Sequence, residues 1–259
     1  METYTGFAEV YDEMMDNIPY LEWENFLLQL LFLNNVKPDA IIAEIGCGTG
    51  TMTELLADEG FKMSGVDLSE DMLRLAREKC PDISFKQMDM RELVLDEPQD
   101  VIISIADSMN YLETVDDLSK TMKGVYNALV PGGVFIFDLK TEFFFKYVVR
   151  NRTFRGHGNG FSYVWKNYYD EDAKCHTYDV TIKLKTQRYK NKDKDIIEIE
   201  NINKFIHNEK HKQYVFTAQD IKKAAIYGGF RGAKVYGNMT FEKPRLNDER
   251  IYVVLTKEK

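Results

Sequence analysis

Three carboxylates and one run of glycines stand at regular points in the first third of the chain. The run is EIGCGTG, Glu44 to Gly50, with Gly46, Gly48 and Gly50 spaced G-x-G-x-G. Glycines at that spacing permit a tight turn and close approach of the backbone to a ligand. A dinucleotide fingerprint requires G-x-G-x-x-G, and position 51 is threonine; a P-loop is excluded because no G-x-x-x-x-G-K-[ST] occurs. Glu44, two residues before the first glycine, would repel a pyrophosphate and suits a cationic group. Asp67 can accept both hydroxyls of a ribose, as acids after the second strand do in Rossmann-type folds. Asp89 can accept from the exocyclic amine of an adenine. The three acids together describe a ligand with a cationic part, a ribose and an adenine, and no phosphate.

The elements that must position these residues read as alternating strands and helices. Residues 7–35 have helical spacing, with Phe7, Val10, Tyr11, Met14 and Met15 on one face, continuing after Pro19 and ending at Pro38. The pattern predicts buried strands at 41–46, 62–67, 82–89, 100–107 and 131–139, and helices at 49–59, 70–79 and 116–129. Ser69 reads as a helix cap and Gly60 as a helix stop. Continuous apolar strands between amphipathic helices imply a Rossmann-like, mostly parallel α/β sheet covered on both faces, with ligands at the C-terminal strand edge.

Beyond about residue 150 the period changes. Segments 161–170, 175–190 and 195–207 read as extended, and His176, Tyr178, Val180, Ile182 and Leu184 alternate with polar residues, implying antiparallel strands. NKDKD, 191–195, reads as an exposed hairpin tip. Helical spacing returns at 217–230, followed by strands at GAKVYG and RIYVVLTK. The expected organisation is one α/β domain, residues 1–150 and 215–259, with an antiparallel insertion at 151–214 standing over the ligand edge as a substrate-binding lid.

Composition narrows the function. The chain has 259 residues, 44% hydrophobic and 29% charged, and a net charge of −8, which is ordinary for a soluble globular protein. An acidic balance argues against coating nucleic acid or anionic membrane. Cys47, Cys80 and Cys175 are few and widely spaced, so neither a disulfide framework nor a metal site is expected. The acidic N-terminus lacks the basic region of a signal peptide, and no apolar run is long enough to span a bilayer, so cytoplasmic residence is expected, as a monomer or weak homodimer.

EIGCGTG, GVDLSEDML, QMDM, DVIISIADSMNYL and LVPGGVFIFD, in that order over residues 41–139, resemble the class I S-adenosylmethionine-dependent methyltransferases. The N-terminal YTGFAEVYDEMMDNIPYLEW and the WKNYYD segment are similar to a narrower group of stand-alone bacterial small-molecule methyltransferases, whose layout glycine and amino-sugar N-methyltransferases share. The resemblance implies S-adenosyl-L-methionine as methyl donor, S-adenosyl-L-homocysteine as product, and a small-molecule acceptor. It places Gly46, Cys47 and Gly48 against the methionine moiety, with Glu44 near its amino group. Asp67 would hold the ribose, Leu68 and Met72 would border the adenine, and Asp89 and Met90 would contact its edge and face. Ala106 and Asp107 would line the sulfonium side, and Tyr4, Tyr11 or Trp23 would lay an aromatic over the cofactor.

Structural readings stand beside these. Cys47 suits a tight turn by its small size. Asp67 can cap a surface helix, as can Asp107 or Ser108. DSMNY lacks the Pro-Pro of the [DNS]-P-P-[YF] motif of methyltransferases that act on planar amides and DNA bases. Asn110 and Tyr111 sit where an acceptor approaches. Phe161, Tyr163, Trp165, Tyr168, Tyr169 and Tyr178 can cage a substrate or form the insertion's own core; Trp165 and Tyr168 are taken to face the site. His157, His176, His207 and His211 show no metal-ligand pattern and read as solvated or packing residues. The basic stretch Lys183 to Lys194 reads as a solvated hairpin.

Transfer from a sulfonium is an in-line displacement, so the protein chiefly orients the nucleophile and excludes water. A base helps only where the acceptor holds a proton, and Asp107, Tyr11 and Tyr111 are the candidates. An RNA or protein methyltransferase, a non-catalytic S-adenosylmethionine-binding protein and, by a longer stretch, a dehydrogenase are the alternative readings.

Overall fold

The computed structural model describes residues 8–15, 18–184 and 206–259. Its centre is a seven-stranded sheet of β1 (Ile41–Ile45), β2 (Lys62–Asp67), β3 (Ser84–Gln87), β4 (Gln99–Ser104), β5 (Leu129–Lys140), β10 (Ala233–Tyr236) and β11 (Arg250–Thr256). The spatial order is β10-β11-β5-β4-β1-β2-β3, and β11 runs against both of its neighbours while the rest are parallel.

Alternate residues of each central strand feed two cores. Ala43, Ile102, Phe135 and Val253 pack on one face with Leu118, Met122 and Val125 of α5 (Val115–Ala128) and with Ile221, Ala224 and Ala225 of α6 (Ala218–Gly228). Ile42, Ile103, Ile136 and Val254 pack on the other with Leu27, Leu30 and Leu31 of α2 (Tyr20–Leu33) and with Met52 and Leu56 of α3 (Thr51–Asp58). Burial on both faces is what makes these strands continuous apolar runs, and each such side chain contributes roughly 1.5–3 kcal/mol.

Local chemistry sets the helix ends. Ser69 accepts from the Met72 N–H at the start of α4 (Glu70–Lys79), and Thr114 and Thr217 each form reciprocal capping boxes with Asp117 and Asp220; a cap of this kind is typically worth about 1 kcal/mol. The N-terminal helical reading divides at Pro19 into α1 (Ala8–Met14) and α2, because proline cannot donate the hydrogen bond that would carry one helix through.

After β5 and a π-helical turn, Phe144–Val149, the chain builds a second sheet, wholly antiparallel, in the order β6-β7-β8-β9. Its strands are β6 (Thr153–Gly158), β7 (Phe161–Asp170), β8 (Cys175–Leu184) and β9 (Ile206–Tyr214). β6 and most of β9 were not expected from the sequence; the polar inward residues of β9 hide its alternation. The hairpin expected at 191–195 and all of the basic stretch beyond Leu184 lie outside the described residues. Ala8, Val10 and Met14 of α1 pack between Met72 of α4 and Phe161, Tyr178, Val180 and Ile182 of this second sheet, so α1 ties the two sheets together.

Candidate active site

The C-terminal ends of β1, β2, β4 and β5 open into one cleft, roofed by the inner face of the second sheet. Its space, open solvent at the mouth included, is about 1020 Å3.

The glycine loop forms one wall. Gly46, Gly48 and Gly50 have φ of 73°, 54° and 77°, a region that L side chains rarely enter. A Cβ on Gly46 would lie 2.6 Å from Cβ of Ser108, whose hydroxyl donates to the Gly46 carbonyl at 2.9 Å. At Gly48 nothing stands within 4 Å of the missing Cβ, which leaves the backbone open to a ligand. The Gly48 N–H donates to Oδ2 of Asp67 at 2.8 Å, and the Ser69 N–H donates to Oδ1 at 2.9 Å. Each oxygen keeps a lone pair for a ligand hydroxyl. Burial raises the Asp67 pKa against the pull of these N–H groups.

Glu44 tests whether a cation belongs here. Its carboxyl is 3% exposed, and burial pushes it up to about 8, against the lowering effect of the bond donated by the Thr53 hydroxyl. Among the described residues no cationic side chain pairs with it. A buried carboxylate without a counter-charge is costly, and a positively charged ligand group restores it. Glycine loop, Asp67 and Glu44 together therefore fit S-adenosylmethionine. α1 closes this end: the Thr49 hydroxyl donates to Asp12 at 2.6 Å, and Lys79 pairs with the same carboxylate at 2.8 Å.

The far wall is built on charge. Ala106 and Asp107 follow β4 with φ of 62° and 58°, two successive non-glycine residues in the left-handed region, a local strain held by surrounding bonds. The Asp107 N–H donates to Oδ1 of Asp138 at 2.9 Å. The Asp107 carboxylate meets Lys140 at 3.0 Å, Arg250 at 2.8 Å and the Gln213 amide at 2.6 Å. Arg250, first residue of the reversed strand β11, also pairs with Asp138 and lies over the Trp23 ring at 4.5 Å. Burial works to raise the Asp107 pKa, but Lys140, Arg250 and Gln213 outweigh it and hold the carboxyl below its ordinary value.

Roof and mouth are aromatic and polar. Trp165 of β7, Tyr178 and Val180 of β8, and His211 and Gln213 of β9 line the cleft with Tyr11, Tyr20 and Tyr111. Tyr178 and His211 are register partners. His211 is 3% exposed, and its Nε2 lies 3.1 Å from a Glu209 oxygen. Burial raises Tyr11 well above a free phenol and holds Tyr20 and Tyr178 at about 12.

The sequence-predicted residues divide accordingly. Tyr11, Trp23, Glu44, Gly46, Cys47, Gly48, Asp67, Met72, Ala106, Asp107, Tyr111 and Trp165 share the cleft. Tyr4 lies outside the described residues. Leu68 is 57% exposed and away from the cleft, because the chain turns outward to start α4. The Asp89 carboxylate is bound by the Arg91 guanidinium and backbone N–H and is not among the residues lining the cleft, and Met90, partly buried, packs against the core. Asn110 is fully buried and staples the turn to β5 and β9 through the Lys140 backbone and the Tyr214 carbonyl. Tyr168 points to the outer face, 57% exposed, since β7 alternates and Asn167 and Tyr169 take the inner side. Asp107, expected as a base, is a charged anchor, and the buried phenol of Tyr11 stays protonated. Sequence reasoning missed Lys140, Gln213, Arg250 and above all His211. The visible signal was NEKHKQ, in which exposed Lys210 and Lys212 alternate with buried Glu209, His211 and Gln213.

The chain is similar to known proteins over its whole length. Residues 42–133 match the family model described as a methyltransferase domain. The chain is 30% identical over 99% of its length, and 98% of the other protein's, to "Putative methyltransferase YqeM" of Bacillus subtilis. It is 35% identical over 97 residues, 38% of this chain and 41% of the relative, to a Streptomyces venezuelae dTDP-3-amino-3,4,6-trideoxy-alpha-D-glucopyranose N,N-dimethyltransferase. Among solved structures, an S-adenosylmethionine-dependent methyltransferase from Clostridium acetobutylicum superposes with a TM-score of 0.79 at 25% identity, covering 99% of both chains.

Proposed function

Since this chain belongs to the class I S-adenosylmethionine-dependent methyltransferases, we propose that the far end of its cleft receives a small molecule bearing an amine or hydroxyl and presents that atom for methylation. S-Adenosylmethionine is the methyl donor of the family, and when bound it supplies a methyl group already activated by the positive sulfur. In this reading Glu44 meets the donor's amino group, Asp67 its ribose hydroxyls, and Met72 its adenine. Asp107, Lys140 and Arg250 hold the floor rigid, and the second sheet, β6 to β9, excludes water from above.

One observation carries the choice of a small polar acceptor. Under that roof, Nε1 of Trp165 and Oε1 of Gln213 are buried with no hydrogen-bond partner among the described residues, and both side chains line the cleft. The Gln213 amide nitrogen is committed to Asp107, so its oxygen is left to accept. Buried polar groups are rarely left unpaired. A donor and an acceptor beside an aromatic wall match a ring that carries hydroxyl or amino groups, and the sugar N,N-dimethyltransferase among the relatives supports an amine.

The test is a screen of purified protein with S-adenosylmethionine against amino sugars, sugar alcohols, aromatic hydroxyls and small amines. S-Adenosylhomocysteine release and a one-methyl mass gain on a small molecule are expected. Methylation confined to added RNA or protein sinks the reading.

A further inference from the structure

We propose that the outer face of the second sheet, the side turned away from the cleft, is a docking surface for single-stranded RNA. The inference goes beyond the reading of the cleft and concerns the opposite face of its roof.

Strand alternation defines that face. Trp165, Tyr178, Val180, His211 and Gln213 line the cleft, so their neighbours along each strand point outward. Arg155 of β6, Lys166 of β7, Lys183 of β8, and Lys210 and Lys212 of β9 are outward and exposed. They outnumber the acids of the face, Asp179 and Asp170, on a chain whose net charge is −8. Among the described residues none of the five cations pairs with a carboxylate, whereas Arg74, Lys86, Lys120 and Lys146 elsewhere on the surface each do. An acidic chain does not coat nucleic acid, but a local face of opposite sign attracts phosphate at short range. A Debye length of about 8 Å at physiological salt screens the acids on the rest of the molecule.

Register arranges these side chains in rows. Lys166, Asp179 and Lys210 stand opposite one another on β7, β8 and β9, and Tyr168, Thr177 and Lys212 form the next row. Successive outward residues on one strand are about 6.7 Å apart, and neighbouring strands about 4.8 Å. The cations are therefore spread across a face and not gathered at one point. The exposed ring of Tyr168 stands among them, and Ser162 and Thr177 add hydroxyls.

The chemistry of the face selects its occupant. Protein interfaces are depleted of lysine and serine and are anchored by buried aromatic and aliphatic side chains. Here four of the five cations are lysines, and Tyr168 is the one exposed large apolar side chain among the described residues of the face. Docking on a lipid surface is strengthened by several apolar side chains entering it, which this face does not offer. A strand of RNA uses what is present: cations for its phosphates, an open aromatic ring for a base, and hydroxyls that can meet the 2′-OH. Four-stranded antiparallel sheets bind single strands in this way, with bases stacked on exposed aromatics.

Fluorescence anisotropy of the full-length protein with a labelled oligouridylate of about 12 nucleotides tests the assignment. A dissociation constant of about 1–100 μM is expected near 150 mM salt, with affinity falling as salt rises. Lys210→Gln combined with Lys212→Gln is expected to flatten the slope of log affinity against log salt by about 1.4, at about 0.7 for each cation removed. Tyr168→Ser is expected to weaken binding roughly 5- to 150-fold at about 50 mM salt and to leave the slope unchanged. These side chains are exposed, and unchanged urea melts would show that the fold is intact. Binding weaker than about 1 mM at the lower salt overturns the proposal. So does wild-type binding by both variants, DNA of the same sequence bound as tightly as RNA, or binding to phosphatidylserine vesicles without binding to RNA. The assay contains neither methyl donor nor acceptor, so its failure leaves the reading of the cleft untouched.

Discussion

The side-chain amide nitrogen of Gln213 stands 2.6 Å from Oδ2 of Asp107, joining β9 of the second sheet to the strained turn after β4. Both residues are buried, at 1% and 8% exposure. Lys140 and Arg250 meet the same carboxylate, so floor and roof of the cleft share one ionic node. A hydrogen bond to a buried charge contributes about 1.5–3 kcal/mol, enough to hold the roof in register over the floor.

Gln213→Leu cuts that link and leaves Asp107 with both of its cations. Urea unfolding is expected to show a loss of about 1.5–3 kcal/mol. Because the bond of the Gln213 amide goes to Asp107 while Asp67 is held by Gly48 and Ser69, S-adenosylhomocysteine affinity is expected to hold while kcat/KM for the acceptor falls. Equal losses for donor and acceptor would place Gln213 in the general scaffold.

Asp67→Asn keeps the volume but replaces one accepting oxygen by a donor, opposite the Gly48 or Ser69 N–H. The loop loses a charge-assisted bond and the ligand loses an acceptor. About 3 kcal/mol in total corresponds to roughly a hundredfold weaker S-adenosylhomocysteine binding by calorimetry. Wild-type affinity in the variant would remove Asp67 from the site.

Glu44 makes the ligand-free protein sensitive to alkali. Burial raises its pKa from 4.5 to about 8, so between those values the folded state keeps a proton that the unfolded chain releases. Its contribution to stability is full below pH 4.5 and is lost as pH rises through 8. At about 1.36 kcal/mol per unit the loss is at most about 5 kcal/mol. Denaturant melts at a series of pH values are expected to flatten in Glu44→Gln over this window, and saturating S-adenosylmethionine is expected to reduce the slope in wild type by pairing the carboxylate. An identical slope in the variant would show that Glu44 is not the group responsible.

The main sheet was legible because its physics is local. Runs such as IIAEI and VIIS have one reason to be apolar on both faces, and Ser69, Gly60 and Pro19 mark ends by their own backbone chemistry. The glycine-loop wall of the cleft was legible for the same reason: Gly46, Gly48, Glu44 and Asp67 lie within a few residues of the strands that present them. The opposite wall was not. His211, Gln213, Lys140 and Arg250 come from β9, β5 and β11 and meet only through tertiary register, Arg250 opposite Lys140 and Tyr178 opposite His211. Asp89 stands two residues past the end of β3, and its carboxylate is bonded by Arg91, two residues on, a contact that strand periodicity does not reveal.

Arg250 bridges two buried carboxylates, Asp107 and the fully buried Asp138. Arg250→Met keeps a long apolar stem against Trp23 and removes only the charge, leaving Asp138 to the Asp107 N–H alone among the described residues and Asp107 to Lys140 and Gln213. Breaking a buried pair on one side costs about 3–5 kcal/mol, chiefly through the charge left behind. Adding Asp138→Asn removes that charge, so the double variant is expected to be more stable than Arg250→Met alone, which independent effects would not produce. The pH dependence has a definite sign. In wild type the pKa of Asp107 is depressed, so its contribution is present above the unfolded value and is lost as pH falls. In Arg250→Met the unscreened carboxylates gain by protonation, and the stability deficit relative to wild type is expected to narrow toward acid pH. Arg250→Lys is expected to behave more like the methionine than like the wild type, since one ammonium cannot present the forked donors that reach both acids. Chemical denaturation of the four proteins at about pH 5 and about pH 8 checks all three statements, and a deficit that widens toward acid would show that the carboxylates left without their arginine are not what sets it.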